Sequence, residues 1–482
     1  MSPAFVTLVN TNAMKPPISP IGFDYLASSL EKEGFEVDIL DLCFSANLAQ
    51  DIESYFKKNQ PRAIGITLRN TDDCFYVSGD FFLPGLKKIK REIQRKTDSP
   101  LIIGGSGFSV MPQSVLSYLD VNMGMRGDCE QAFPLLLRKL TKKESIENVP
   151  GLIYKDKVGR LISNTPDSFE VGNLPLQTRQ YVDNKRYFEQ GGMGNIETKR
   201  GCNQQCIYCA DPLIKGKKIR LRPPEHVVWE LKKLLAKGID HIHFCDSEFN
   251  LPPDHAERIC EHIIKENLHT KLRWYTYCSP SAFSNKLAAL MQRAGCAGIN
   301  FGVDSGSDTI LQVLGRNFDL REIKQTAEIC HRNGIVFMYD LLLGGPGESK
   351  QTLKTTIELM KNIAPHRVGV TVGIRVYPGT SLSCSILKQG LLNKNPNLQV
   401  KDSQEFSDDF FYPAFYLCSE VSEEIFPYLE TLIGDDERFF FPSKLRKSKN
   451  YNYNENALLM EAIKKGYRGA YWDILRKLEE EI

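Results

Sequence analysis

Apolar and polar positions follow two successive rhythms along this chain. From the N-terminus, short apolar runs at Phe5–Val9, Val37–Leu40, Ala63–Leu68, Leu101–Gly104 and Val121–Met125 alternate with helical patterns at Ile21–Glu33, Ala46–Lys58, Phe82–Lys96 and Met111–Leu119; Gln131–Leu140 follows the last run. Apolar runs this short, bounded by turn residues, read as strands buried on both faces. Strands alternating with helices predict a parallel, doubly wound sheet of Rossmann or flavodoxin type over residues 1–145. Ligands of such sheets bind beyond the carboxyl ends of the strands. The informative loops are therefore Asn10–Pro20, Arg69–Asp73, Gly104–Gly107 and Gly127–Glu130.

Residues 146–194 carry scattered prolines and a glycine cluster at Gly191, Gly192 and Gly194, and read as a connector. The rhythm then restarts. Strand-like runs fall at Asn195–Thr198, His241–Cys245, Leu272–Tyr277, Gly298–Val303, Val336–Leu343 and Val368–Val376. Helical patterns lie between them, such as His226–Lys237, Ala256–Lys265, Asn285–Ala294, Leu320–Asn333 and Lys350–Ile363. Six strand–helix repeats over residues 195–390 predict a partial α/β barrel, whose chemistry gathers at the carboxyl ends of its strands. Residues 391–482 are rich in aromatics, including Phe406, Phe410, Phe411 and Tyr451–Tyr453, and read as a small helical region capping the barrel mouth.

Composition adds little but excludes much. With 482 residues, 42% hydrophobic and 25% charged, the chain is an ordinary globular protein of two or three domains. A net charge of +2 gives no basic field for nucleic acid. No apolar run approaches the roughly 18 residues that span a bilayer, and the N-terminus lacks the pattern of a signal peptide. Thirteen cysteines without a small-domain framework point to a reducing compartment, the cytoplasm.

Three of those cysteines stand apart. Cys202, Cys206 and Cys209 form a C-x3-C-x2-C cluster with Tyr208 before the last thiol, just after the first strand of the second rhythm. Iron–sulfur clusters are held by thiolates, and three ligands on a four-iron cube leave one iron open. A structural zinc site usually closes with four ligands, and no further ligand pair lies nearby in sequence.

The triad resembles the radical S-adenosylmethionine (SAM) superfamily, in which the open iron of a [4Fe-4S] cluster chelates SAM. Later segments fit the same resemblance: His243–Asn250, with Asp246 and Glu248; Asn300–Ser307, with Asp304 and Ser305; Gly344-Gly345-Pro346; and Arg375–Thr380. The resemblance makes Tyr208, Asp246, Asp304, Ser305, Gly344, Gly345 and Arg375 the expected SAM contacts. Asp246 and Glu248 are candidate catalytic groups, Glu248 as a general base. Helix capping is the structural alternative for this loop, through Asn250.

The first domain carries a second resemblance. Ile18–Leu26, with Pro20, Gly22, Tyr25 and Leu26 in a Pro-x-Gly-x-x-Tyr-Leu pattern, the Gly104-Gly105-Ser106-Gly107-Phe108 loop and the Arg126-Gly127-Asp128-Cys129-Glu130 loop look like the cobalamin-binding branch of that superfamily, its class B methyltransferase type. The implied cobalamin contacts are Pro17, Ile18, Arg69, Asn70, Gly104, Gly105, Ser106, Gly107, Gly127 and Glu130. No histidine precedes His226, so this domain supplies none to cobalt. Arg69 beneath the corrin would disfavour a lower ligand, since a guanidinium stays protonated and offers no lone pair.

The resemblance implies a methyltransferase moving methyl from SAM through cobalamin to a carbon of a small molecule or peptide. An electron donor of flavodoxin or ferredoxin type is implied as well. Two related readings share these motifs: polar methylation of an aromatic such as tryptophan or another indole, and a cobalamin-dependent cyclase or ring-rearranging enzyme. A methylthiotransferase would need a second cysteine triad and a C-terminal RNA-binding barrel; Cys43, Cys74 and Cys129 are present, but Cys129 falls in the expected corrin loop and the tail reads as helical, which disfavours it, while retention of the SAM loops disfavours a non-catalytic sensor.

Overall fold

The computed structural model describes residues 4–390, 392–400, 407–441 and 453–480, so Phe406 and Tyr451-Asn452 lie outside the described residues. The first sheet has seven strands in the order β2-β1-β3-β4-β5-β6-β7. These are β1 (Ala4–Asn10), β2 (Phe35–Asp41), β3 (Ala63–Thr67), β4 (Leu101–Gly104), β5 (Met123–Met125), β6 (Leu152–Lys155) and β7 (Leu161–Ser163). The first five run parallel. A 2-1-3-4-5 order is flavodoxin-like, and its switch point lies between β1 and β3. The loops after Asn10 and Thr67 therefore flank the ligand-binding crevice of this sheet.

β6 and β7 extend the sheet antiparallel. They fall where the sequence reads as connector, because strands of four and three residues carry too little alternation to register.

β8 (Gly194–Ile196) begins the second sheet; β9 (Lys199–Arg200) and β10 (Arg220–Leu221) form a separate two-stranded ribbon. The second sheet continues with β11 (His241–Phe244), β12 (Arg273–Cys278), β13 (Cys296–Asp304), β14 (Phe337–Leu343) and β15 (Arg367–Val372), all parallel. Side chains facing its helices, such as Ile242, Phe244, Trp274, Ile299, Phe301, Phe337 and Val368, belong to one continuous buried core. Capping boxes at Asp319 and Ser349 start two of the barrel helices.

The C-terminal region has helices Ile425–Ile433, Ala457–Lys464 and Tyr471–Glu480, as expected, but it is not helical alone. β16 (Ile374–Arg375), β17 (Leu398–Val400) and β18 (Ala414–Tyr416) form a three-stranded sheet. β19 (Phe439–Phe440) joins the barrel as a seventh strand, parallel to β15. The aromatics of this region are largely core, as aromatic clusters usually are: Phe410, Phe411, Phe439 and Phe440 are all buried.

A buried charge network joins the two sheets. Arg179 is fully buried, and all five of its N–H groups find acceptors: Asp24 Oδ2 at 2.9 Å, Glu230 Oε1 at 3.0 Å, Asn184 Oδ1 at 2.7 Å, and the carbonyl and side-chain oxygens of Asn195 at 2.7 and 3.0 Å. Arg222 bonds the second oxygen of Glu230 at 2.7 Å and the Tyr25 hydroxyl at 2.8 Å. Asp24 and Tyr25 belong to the first domain, Arg179 to the connector, and Asn195, Arg222 and Glu230 to the barrel. Removing Arg179 leaves the buried Asp24 carboxylate without its counter-charge and Glu230 with Arg222 alone. We expect Arg179→Met to cost about 3–5 kcal/mol, the usual penalty for breaking a buried pair, seen as a lowered urea midpoint; an unchanged midpoint would refute the network's role.

Candidate active site

Two cavities lie where the sheets meet. The larger, of about 330 Å³, is lined by first-domain loops and by the barrel residues Glu197, Lys199, Arg200, Ile214, Lys215, Cys245 and Ser247. The smaller, of about 180 Å³, is lined by Cys202, Cys206, Cys209, Gln204, Tyr208, Asp211, Pro212, Ser247, Glu248, Tyr277, Gly302 and Arg316.

The cysteine loop is held from several sides. Gly201 has φ +93°, and a Cβ there would meet the Lys218 carbonyl oxygen at 2.1 Å, so only glycine fits ahead of Cys202. The Ile207 amide donates to the Leu314 carbonyl at 3.0 Å, and that of Cys202 to Gly216 at 3.1 Å. Among the described residues no three Cys, His, Asp or Glu side chains are gathered around a single ion. Thiols sharing a cavity wall without converging suit a polynuclear cluster, in which each sulfur takes its own iron, better than zinc. Burial pushes all three thiols up, Cys209 to about 12, so ligation must displace protons.

Of the residues expected at SAM, Tyr208 lines the cysteine cavity. Asp304 stands behind it, accepting from the Tyr208 hydroxyl at 2.6 Å and lying 3.4 Å from Arg316 Nε. The others are engaged elsewhere. Asp246 lines neither cavity: it is buried, accepts from the backbone amides of Thr198 at 2.8 Å and Lys199 at 3.3 Å, and pairs with the Lys199 ammonium. Expected at SAM and in catalysis, it is held at the strand end that leads into the cysteine loop. Ser305 is buried against Thr356, while Gly344 and Gly345 pack against Leu417 and Ile374. Arg375, expected at SAM, is likewise engaged within the chain. Its guanidinium is consumed by Asp72 at 3.0 Å and by the carbonyls of Val376 and Phe410, so it locks the domains together.

Glu248 does face the cavity, and its Oε2 is buried without a hydrogen-bond partner. Asn250 does not cap the following helix; its side chain bonds the amide and carbonyl of Ser279 and the Ser281 carbonyl, joining the loops after β11 and β12.

In the larger cavity the expected Ile18, Arg69, Gly104, Gly105, Ser106, Gly127 and Glu130 form the wall. Pro17, Asn70 and Gly107 do not. Gly107 packs directly on the Asn70 backbone, where a Cβ would stand 2.9–3.0 Å from it, and the Pro17 carbonyl is pressed against Gly191. Gly105, at φ +101°, lies where a Cβ would meet the Leu68 carbonyl oxygen at 2.5 Å. These contacts flatten the loops as a broad planar ligand requires. Asn12 Nδ2 and Glu130 Oε2 are buried there without partners. The Arg69 guanidinium reaches Met14 Sδ at 3.8 Å, its carbonyl accepts from the Ser106 hydroxyl at 3.1 Å, and among the described residues no ion-pair partner is seen for it.

Sequence reasoning missed Arg316, whose Nη1 lies 2.8 Å from Cys206 Sγ. It also missed Lys215 and Arg200; the latter pairs with Glu130, Asp128 and Glu197. Lone cations in loops carry no periodic signal.

Residues 196–360 match the Radical SAM superfamily and residues 8–137 the B12 binding domain. The chain thus carries both domains of the cobalamin-dependent radical SAM methyltransferases it resembles. It is 29% identical to tryptophan 2-C-methyltransferase of Streptomyces laurentii, over 97% of this chain and 95% of that one. The radical SAM methyltransferase TsrM from Kitasatospora setae, solved with tryptophan and a SAM analog bound, superposes with a TM-score of 0.91 at 29% identity, covering 99% of this chain and 98% of that one. The same enzyme solved with cobalamin and a [4Fe-4S] cluster superposes at 0.89. The two matched families imply SAM at an iron–sulfur cluster for the second domain and a B12 cofactor for the first. Among the described residues no helix is long and apolar enough to cross a membrane.

Burial pushes the Glu248 carboxyl from its ordinary 4.5 up to about 7, against the pull of Arg316 and Lys199. A carboxyl whose value rises on folding favours the folded chain at low pH. That contribution is complete below pH 4.5 and is lost as the pH climbs through about 7. In thermal melts of the ligand-free protein, wild type should therefore lose ground to Glu248→Gln as pH rises across this window. Parallel melting curves would refute the assignment.

Proposed function

We propose that this methyltransferase methylates a carbon of an indole, with tryptophan as the first substrate to test. The observation that carries the reading is the near-complete superposition on a tryptophan-bound relative, at 29% identity over 99% of this chain. The cysteine cavity suits an aromatic guest. Tyr277, 44% exposed, stands at its edge, with the His243 ring 5.0 Å away. Burial holds His243 down near 4, so it meets a guest as a neutral ring.

In this reading Cys202, Cys206 and Cys209 hold the cluster, and the cysteine cavity takes SAM between Tyr208, Glu248 and Arg316. The unpartnered Glu248 oxygen accepts from an ammonium group, and Arg316 attracts a carboxylate. Ile18, Arg69, the Gly104–Ser106 loop, Gly127 and Glu130 hold cobalamin. Bound cobalamin supplies a cobalt able to carry a methyl group between donor and acceptor. The protein's part is to position both partners, exclude water and keep a protonated guanidinium at Arg69, where no lone pair is offered. An electron donor of flavodoxin or ferredoxin type completes the reading, since cluster and corrin need reduction before use. Thirteen free cysteines support a reducing, cytoplasmic setting.

Two measurements test this. Protein purified without oxygen from cells supplied with cobalamin should hold about four irons and one cobalt per chain. Turned over with SAM and tryptophan, it should release S-adenosylhomocysteine and methyltryptophan; 5′-deoxyadenosine alongside marks a radical route, and its absence a polar one. Iron without cobalt, or no methylated product, overturns the reading. Separately, Arg69→His replaces a non-donor with an imidazole. The electron paramagnetic resonance (EPR) spectrum of bound cob(II)alamin should then gain nitrogen splitting that wild type lacks.

A further inference from the structure

The two cavities share one residue: Ser247 lines both. The wall between them has two parts. One is the helical turn Asp211–Ile214, immediately after Cys209. The other is the loop after β11. Each faces both ways. On the turn, Asp211 and Pro212 line the cysteine cavity, while Ile214 and Lys215 line the larger one. On the loop, Glu248 faces the cysteine cavity and Cys245 the larger one.

Hydrogen bonds tie the halves together at Ser247. Its Oγ donates to Asp211 Oδ2 at 2.6 Å. Lys215 Nζ donates to the same oxygen at 3.0 Å and reaches Ser247 Oγ at 3.4 Å. The Lys215 amide also donates to the Asp211 carbonyl at 2.8 Å, closing the turn. A charge-assisted pair spanning one turn fixes both edges of the wall. The residue between them is among the smallest side chains, and its hydroxyl is already committed to Asp211.

We propose that Ser247, held by Asp211 and Lys215, is the aperture between the methyl-donor cavity and the cobalamin cavity, and that the bulk of the side chain at 247 decides whether a ligand in one reaches the other. This rests on placing SAM in the cysteine cavity and cobalamin in the larger one. Ser247 acts by position and touches neither the cluster nor the cobalt. A serine leaves space for a methyl-sized group, whereas a branched side chain fills it.

The test uses the holoenzyme and its Ser247→Leu and Ser247→Ala variants. The probes are S-adenosylhomocysteine, read by the EPR spectrum of bound cob(II)alamin, and SAM with a low-potential one-electron reductant but without tryptophan, read by S-adenosylhomocysteine formed. In wild type the homocysteine derivative should perturb the cobalamin spectrum. Ser247→Leu should keep its iron, cobalt and SAM binding by equilibrium dialysis, yet lose that perturbation. Its S-adenosylhomocysteine formation should fall about a hundredfold, the scale of an ångström-sized misplacement. Ser247→Ala, which keeps the opening, should retain the perturbation.

A wild-type spectrum and rate in Ser247→Leu would overturn the proposal. So would loss of iron or cobalt from both Ser247→Leu and the smaller Ser247→Val, because an aperture residue binds neither. Wild-type protein lacking cobalt would instead overturn the cofactor placement beneath it, so the two failures are distinguishable.

Discussion

The arrangement of this molecule depends on a neutral cluster of four buried charges. Arg179 and Arg222 face Asp24 and Glu230 where first domain, connector and barrel meet. Burying charge is costly unless every donor and acceptor is met, and here the five Arg179 donors are all used. That demand for completeness fixes geometry. Asn195, which accepts from Arg179, donates to the Ser19 carbonyl at 2.7 Å. It sits on β8, directly ahead of the cysteine loop, while Ser19 lies on the wall of the larger cavity. One network thus sets the register between the strand that presents the thiols and the loop that borders cobalamin.

Two further bridges reinforce the alignment from other directions. Arg200 and Arg220 reach across to Asp128 and Glu130 on the loop after β5, and Arg375 reaches Asp72 after β3. A doubly wound sheet binds ligands at its strand ends, and so does an α/β barrel. Apposing the two carboxyl ends places both ligand sites on one interface. Domain motion is the default where an interface is small and polar. Three separate ion-paired bridges, several of them buried, oppose it and hold the cavities in fixed apposition.

What the sequence made legible follows from how each feature is encoded. Parallel strands buried on both faces appear as unbroken apolar runs, so β1 to β4 and β11 to β15 stand out in the pattern. The thiol triad and the Gly104–Gly107 loop are legible because local spacing and backbone freedom are written in adjacent residues. The β6–β7 hairpin and the two-residue β19 are too short to form a pattern. Arg179, Arg316 and Lys215 were opaque for a different reason: each acquires meaning only from a partner that the chain brings close by folding. Arg375 shows the converse case. Its motif pointed to a ligand, but Asp72, 303 residues away, claims the guanidinium.

The contrast between lock and site explains how the two coexist. In the lock every strong polar group is satisfied, which gives rigidity. At the cavities Asn12, Glu130 and Glu248 each bury a polar atom with no hydrogen-bond partner among the described residues, and such atoms cost about 1–3 kcal/mol apiece. A ligand bound there can complete those hydrogen bonds. Whatever binds there also stabilises the folded state, more so the tighter it binds. These unmet groups line the cavities that the ion pairs hold in place. Loading the cofactors and consolidating the fold become one process.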